Sequence, residues 1–182
     1  MRILVYFGLF SSLLFAPPTT LGASLSPSPL SGQIHERFDF KEKPLAMAQI
    51  INATFKDSTF LEGTWFQVSL RNTKWLRSQL QGVRGSRVEI LDVEFKDSNL
   101  SGFKCSHCLL DNVEFRNSKL DGSRFVSSVF KNVHFINVDL SRADFVSSRF
   151  QNCSMDARSA AKLDPEKIKK WNIRVIVLQE SQ

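Results

Sequence analysis

From Ile50 to Met155 an apolar residue, mostly large, stands at every fifth position, with Gly85 the single break. Two residues before each stands a small one, from Ala48 and Ala53 through to Cys153, and here Phe103 is the exception. An α-helix cannot hold such a spacing on one face, because each step of five turns the chain by about 500°, or 140° net. Strand alternation does place i and i−2 on one face, but the next large residue then belongs to another unit. The chain must therefore turn once in every five residues, which predicts a coil of very short strands joined by corners.

The corner chemistry is written two residues after each large position, where Asp57, Asn72, Gly82, Asp92, Asp97, Gly102, Asn112, Asn117, Gly122, Asn132, Asn137 and Asn152 stand. These residue types accept positive φ, which a type II turn requires at its third position. A 20-residue period is superposed: Phe55-Lys-Asp-Ser returns as Phe95-Lys-Asp-Ser and Phe115-Arg-Asn-Ser. Four five-residue units thus make one circuit, and like stacks on like in columns such as Phe55, Trp75, Phe95, Phe115, Phe135, Met155 and Phe60, Leu80, Leu100, Leu120, Leu140.

Over Ala48 to Met155 the chain resembles the pentapeptide-repeat family, whose unit is a small residue, often Asp or Asn, then Leu or Phe, then two variable positions. Asp139 and Asp144 keep the family's polar residue before the central one; Lys74, Arg84, Leu109 and Val129 depart from it, which alters the surface and not the core. The resemblance implies an all-β fold, a right-handed quadrilateral parallel β-helix over residues 48–160. About five coils, at about 4.8 Å each, make a rod roughly 25 Å long.

Open ends of such a rod would expose strand edges and apolar stack, so caps are expected. Residues 161–182 read as a small C-terminal helix and strand cap: Asp164-Pro165 starts a helix, Leu163, Ile168 and Trp171 cover the last coil, and Ile173 to Leu178 forms a strand. Residues 24–47 read as linker and N-terminal cap, in which Phe38, Phe40 and Leu45 cover the first coil while Ser24 to Gln33 is too poor in apolar side chains to pack.

Residues 1–23 have the form of a secretory signal peptide: Met1-Arg2, an apolar run from Ile3 to Ala16, Pro17-Pro18, then small residues ending at Ala23. The 14-residue run is shorter than the about 20 that span a bilayer, so no stable membrane insertion is expected. This predicts export to a bacterial periplasm or the medium. The thylakoid lumen is the lesser alternative, since a long Arg- and Ser-rich transit segment is missing. With 182 residues, 42% of them hydrophobic, the chain is long enough for one folded domain.

Cys105-Ser106-His107-Cys108 has the spacing of a redox pair and of half a zinc site. Both cysteines, like Cys153, fall on inward positions, where a thiol packs as a small hydrophobe. The register also makes Cys105 and Cys108 first and fourth residues of one turn, close enough for a disulfide in an oxidising compartment. A second ligand pair for zinc is missing, because the repeat does not bring His35 or His134 beside this turn, so neither metal nor cofactor is expected. Glu94 and Glu114 stack in one column but, beside Lys96 and Arg116, read as a solvated charge pattern rather than a catalytic pair.

The surface feature that stands apart is a basic column, Arg84, Lys104 and Arg124, at 20-residue steps, with Arg87 and His107 at the neighbouring corner. Phe66, Val126 and Val146 on the same side, and Leu109 and Val129 on the next, mark an alternative protein contact. A non-enzymatic interaction or scaffold module follows, with a protein partner or an anionic ligand, and with two copies able to join through the C-terminal cap as in some relatives. A second reading comes from the family, some of whose members imitate DNA and protect DNA gyrase. It is opposed by the export signal and by 15 Lys and Arg against 12 Asp and Glu over residues 48–160. A net charge of +6 invites direct DNA binding, but five of the cations lie in the tail from Lys162 to Arg174 and the repeat's charges alternate in sign, so DNA is disfavoured.

Overall fold

The computed structural model describes residues 26–40 and 44–177. The signal-peptide reading of residues 1–23 lies outside them. The chain winds as a parallel solenoid of about seven turns, each strand hydrogen-bonded to the one a coil earlier and a coil later. Its register step is 20 residues, as in Lys104↔Arg124, Phe95↔Phe115 and Val129↔Arg149.

Four sides follow from the four units per coil. One is a six-stranded ladder of Leu45–Ala46, Thr64–Phe66, Arg84–Ser86, Lys104–Ser106, Arg124–Val126 and Asp144–Val146. Two more belong to a 12-stranded sheet in which Ser69–Leu76, Glu89–Lys96 and Leu109–Arg116 run unbroken through a corner. The fourth is a line of single bridges, Asp39↔Thr59↔Gln79↔Asn99↔Lys119↔Asp139.

From Ile50 to Phe150 every corner has a residue at positive φ two places after the inward one, including all twelve Asp, Asn and Gly positions expected to carry it. The coil imposes the same conformation on residues with no taste for it, such as Arg77, Arg87 and His107. The corner after the Leu80, Leu100, Leu120, Leu140 column closes with a backbone bond across the turn, as from the Phe103 N–H to the Leu100 carbonyl at 3.0 Å. Its third residues are Gly82, Gly102, Gly122 and Arg142.

Inside, the columns stack as rings on rings. Phe55 lies 4.2 Å from Trp75, Trp75 6.0 Å from Phe95, and Phe95 and Phe115 continue at 5.1 and 5.5 Å to Phe135. Each such ring is buried, and full burial of a Phe is worth about 1.5–3 kcal/mol. Where a small inward residue leaves its N–H outside the strand ladder, a serine hydroxyl from the next coil accepts it: Ser78 N–H to Ser98 Oγ at 3.0 Å, Ser98 N–H to Ser118 Oγ at 3.1 Å. Those hydroxyls donate in turn to backbone carbonyls, so the buried polar column is satisfied.

The number of coils corrects the sequence reading at its N-terminal side. Ser26–Pro27 already pairs with Ala48–Gln49, and Ile34–Glu36 with Thr54–Lys56, so residues assigned to a linker form the first coil. The five-residue spacing in fact runs back through Leu45, Phe40 and Leu30, with His35 taking the remaining inward place. His35 stacks on Phe55 at 4.9 Å while its Nε2 lies 2.9 Å from the Leu30 carbonyl. An end coil is covered on one side only, so its inward positions tolerate a polar ring and larger neighbours such as Phe38, which the strict pattern rejects. Seven coils make a rod of about 34 Å rather than 25 Å.

At the other end the coil gives way at Asp156, whose side chain accepts from the Ser159 N–H and caps helix α1, Ala157–Ala160. Helix α2, Pro165–Trp171, starts at the Asp164 N-cap and stops at Asn172 in the left-handed region. The following strand, Arg174–Ile176, returns to the 20-residue register against Ser154–Asp156. It is therefore one more rung of the solenoid, and the two helices replace the corners between. Trp171 meets Phe145 edge-on at 4.7 Å and covers the last coil. Among the described residues no helix is long and apolar enough to cross a membrane.

Candidate basic face and its disulfide

The six-stranded side brings the predicted basic residues together. Arg84, Lys104 and Arg124 are direct neighbours in adjacent strands, each pointing outward because the residue after it, Gly85, Cys105 or Phe125, takes the inward place. Arg87 and His107 occupy the adjoining corner one coil apart, both at positive φ, with the Arg87 N–H on the Ser106 carbonyl at 2.9 Å. The column ends at Asp144, whose carboxylate lies 3.8 Å from Arg124 Nε. Asp144 stands 20 residues after Arg124, so the period alone identifies it as the residue closing the column.

Between Arg84, Lys104 and Arg124 on one side and Ser106 and Val126 on the other lies a shallow hollow of about 210 Å³, floored by Gly85 and Cys105. The apolar residues of the same side stand in two places: Val126 pairs with Val146, and Phe66, 42% exposed, lies three coils away beyond Ser86 and Ser106. Around the corner Leu109 pairs with Val129.

Cys105 and Cys108 form a disulfide with Cα atoms 6.0 Å apart, bridging the inside of the corner that carries Ser106 and His107 outside. Both are buried, as is the free Cys153, whose thiol is pushed up by burial. This bridge explains the two exceptions in the repeat. A Cβ on Gly85 would stand 2.9 Å from Cys105 Sγ and 3.0 Å from Val88 Cγ2, so the coil below the disulfide has no room for a side chain. The interior volume that Gly85 and Cys105 leave is filled from the small-residue column by Phe103, whose ring reaches Trp65 at 6.0 Å and Phe125 at 5.8 Å.

The remaining candidates do not assemble into a site. Glu94 and Glu114 pair in register but are bracketed by Lys74 and His134, and Glu114 bonds Arg116 at 2.8 Å. Among the described residues no group of three or more His, Cys, Asp or Glu is placed to hold a metal ion.

Residues 68–145 match the pentapeptide repeat region family. No curated protein matches the chain in sequence. Among solved structures, the pentapeptide repeat protein Rfr23 from the cyanobacterium Cyanothece 51142 is similar at 10% identity, covering 66% of this chain and 85% of its own, with a TM-score of 0.35. A pentapeptide repeat protein from the Arabidopsis thaliana thylakoid lumen is similar at 15% identity, over 57% and 69%, with a TM-score of 0.31. QnrB1, a plasmid-mediated fluoroquinolone resistance protein, is similar at 13% identity, over 80% and 92%, with a TM-score of 0.26. Likeness at this level says nothing of partner or activity. The five-residue period and the four-sided parallel coil, with residues 68–145 matching the pentapeptide repeat region, support assignment of this repeat to the pentapeptide-repeat family.

Proposed function

We propose that the chain is an exported, non-enzymatic interaction module that offers one side of a rigid rod to a protein partner. The observation that carries this reading is the filled interior: from Ile50 to Met155 every large inward side chain is buried against its neighbours in the column, so recognition has to take place on the outer surface. On that surface the six-stranded side carries the apolar pair Val126 and Val146 beside the cations of the neighbouring column, with Phe66 exposed three coils away beyond Ser86 and Ser106, and Leu109 and Val129 continue the apolar surface around the corner. Apolar contact area beside charge is the composition of a transient protein interface, where the apolar part supplies affinity and the charge sets orientation. Export rests on residues 1–23.

Fractionation of the native protein with N-terminal sequencing, combined with photo-crosslinking in cells from positions 66, 126 and 76, tests both parts. A mature start near Ser24 in the envelope or medium, with a discrete adduct from positions 66 and 126 and none from 76, is expected. An intact Met1 in the cytoplasm overturns export, and adducts from no position or equally from all three overturn the interaction face.

A further inference from the structure

We propose that the hollow between Arg84, Lys104 and Arg124 binds a tetrahedral oxyanion, a phosphate or sulfate group, either free or as an ester. The starting point is an anomaly in the charge pattern. In several places on the rod the register sets opposite charges on successive coils: Arg37, Asp57, Arg77 and Asp97 alternate down one column, and Arg77 bonds both oxygens of Asp57 at 2.7 and 2.8 Å; where like charges do pair, Lys96 with Arg116 and Glu94 with Glu114, the two columns lie side by side and Arg116 bonds Glu114 at 2.8 Å. Lys56 meets Glu36 at 3.2 Å, Arg71 meets Glu89 at 3.1 Å, and Arg142 pairs with Asp121. In the column Arg84, Lys104, Arg124 three cations follow one another with no acid between them.

Among the described residues Arg84 and Lys104 make no ion pair, and Arg124 reaches Asp144 only at 3.8 Å. Like charges directly opposite one another in a ladder are destabilising, and the coil fixes the register, so the strands cannot slide to separate them. Arg87 adds the same sign at the next corner. Arg84 and Lys104 thus stand side by side with no ion-pair partner among the described residues, and Asp144 reaches only Arg124.

The shape of the site matches an oxyanion. Cationic side chains from three adjacent strands line a hollow of about 210 Å³ that also presents Ser106. A carboxylate offers two oxygens in one plane, whereas a phosphate or sulfate group offers three or more in three dimensions and can accept from an arginine, a lysine and a second arginine at once. The floor is stiff: the Cys105–Cys108 bridge ties the turn that carries Ser106, and the strands on either side are in continuous ladder register. A preformed site of this kind loses little freedom on binding. The inference does not depend on export or on a protein partner.

Calorimetric titration of the purified, disulfide-intact protein with inorganic phosphate, inorganic sulfate, phenyl phosphate and phenyl sulfate, at about 0.15 M salt so that diffuse attraction is screened, tests it. Saturable one-to-one binding of at least one probe is expected. Tighter binding of the phenyl esters assigns the group to an esterified ligand, and tighter binding of the inorganic ions assigns it to the free anion.

Lys104→Glu restores the alternating pattern found elsewhere. It should weaken binding by at least tenfold while leaving the ligand-free melting temperature no lower than the parent's. Lys96→Glu, on another side, should leave binding unchanged, and Lys104→Gln provides the same reading should the glutamate variant misfold. Absence of saturable binding for all four probes, or binding by both Lys104 variants within twofold of the parent, overturns the proposal.

Discussion

Gly85 and Phe103 are the two residues that break the repeat, and they break it together. A large residue is missing at position 85 because Cys105 Sγ occupies the space its Cβ would need, and a large residue appears at position 103 to fill the interior that Gly85 and Cys105 leave. Gly85→Ala should therefore destabilise the protein by about 1–3 kcal/mol through overpacking. Most of that loss should vanish in a Cys105→Ala, Cys108→Ala background, where the sulfur is gone. Urea unfolding of the four proteins measures the coupling directly, and additive effects would show that the glycine answers to something else. Each exception was visible in the sequence as a lone irregularity; their compensation was not, because it arises only when one coil stacks on the next and brings Cys105 against Gly85 and Phe103 to Trp65 and Phe125.

At the scale of elements, the ends of the rod decide its integrity. A solenoid is stabilised mainly by contacts between neighbouring coils, so a coil with one bare face is the weakest unit. Trp171 supplies the missing contact at the C-terminal end, meeting Phe145 and Phe150 from helix α2, and Arg174–Ile176 then adds a rung to the ladder. Trp171→Ala should cost about 3–5 kcal/mol. Hydrogen exchange should rise first in Arg149–Gln151 and Ser154–Asp156, while Glu89–Lys96 stays protected; uniform acceleration would mean that the rod opens as one unit. The start of helix α2 was legible in Asp164-Pro165. That the strand after it rejoins the 20-residue register was not, since two helices hide the period.

For the molecule as a whole, charge couples stability to pH. The Arg77 guanidinium holds the Asp57 carboxyl below its ordinary 3.8, Arg142 does the same for Asp121, and the Ser141 hydroxyl and N–H do it for Asp139. The folded state therefore binds fewer protons than the unfolded chain in mild acid. Stability from these groups is fully present above their unfolded pKa and is lost as pH falls through 3.8 towards the lower folded values. Thermal midpoints should be level with respect to these groups from pH 7 to about 5 and fall below about 4. Arg77→Gln with Arg142→Gln should flatten that acid limb, and an unchanged limb would assign acid sensitivity to other groups.

The five-residue unit, the four-sided coil, the inward columns and the alignment of Arg84, Lys104 and Arg124 can all be read from the order of residues, because each of these is local or follows from a strict period. Where the solenoid begins, how its last rung is formed, and why Gly85 and Phe103 depart from the rule emerge from the packing of coil on coil. The physical reason is that inner coils are buried above and below and so demand the full pattern. An end coil is covered on one side, which lets His35 stand in an inward column, and a packing defect can be repaired by any side chain that reaches it, however far away in sequence.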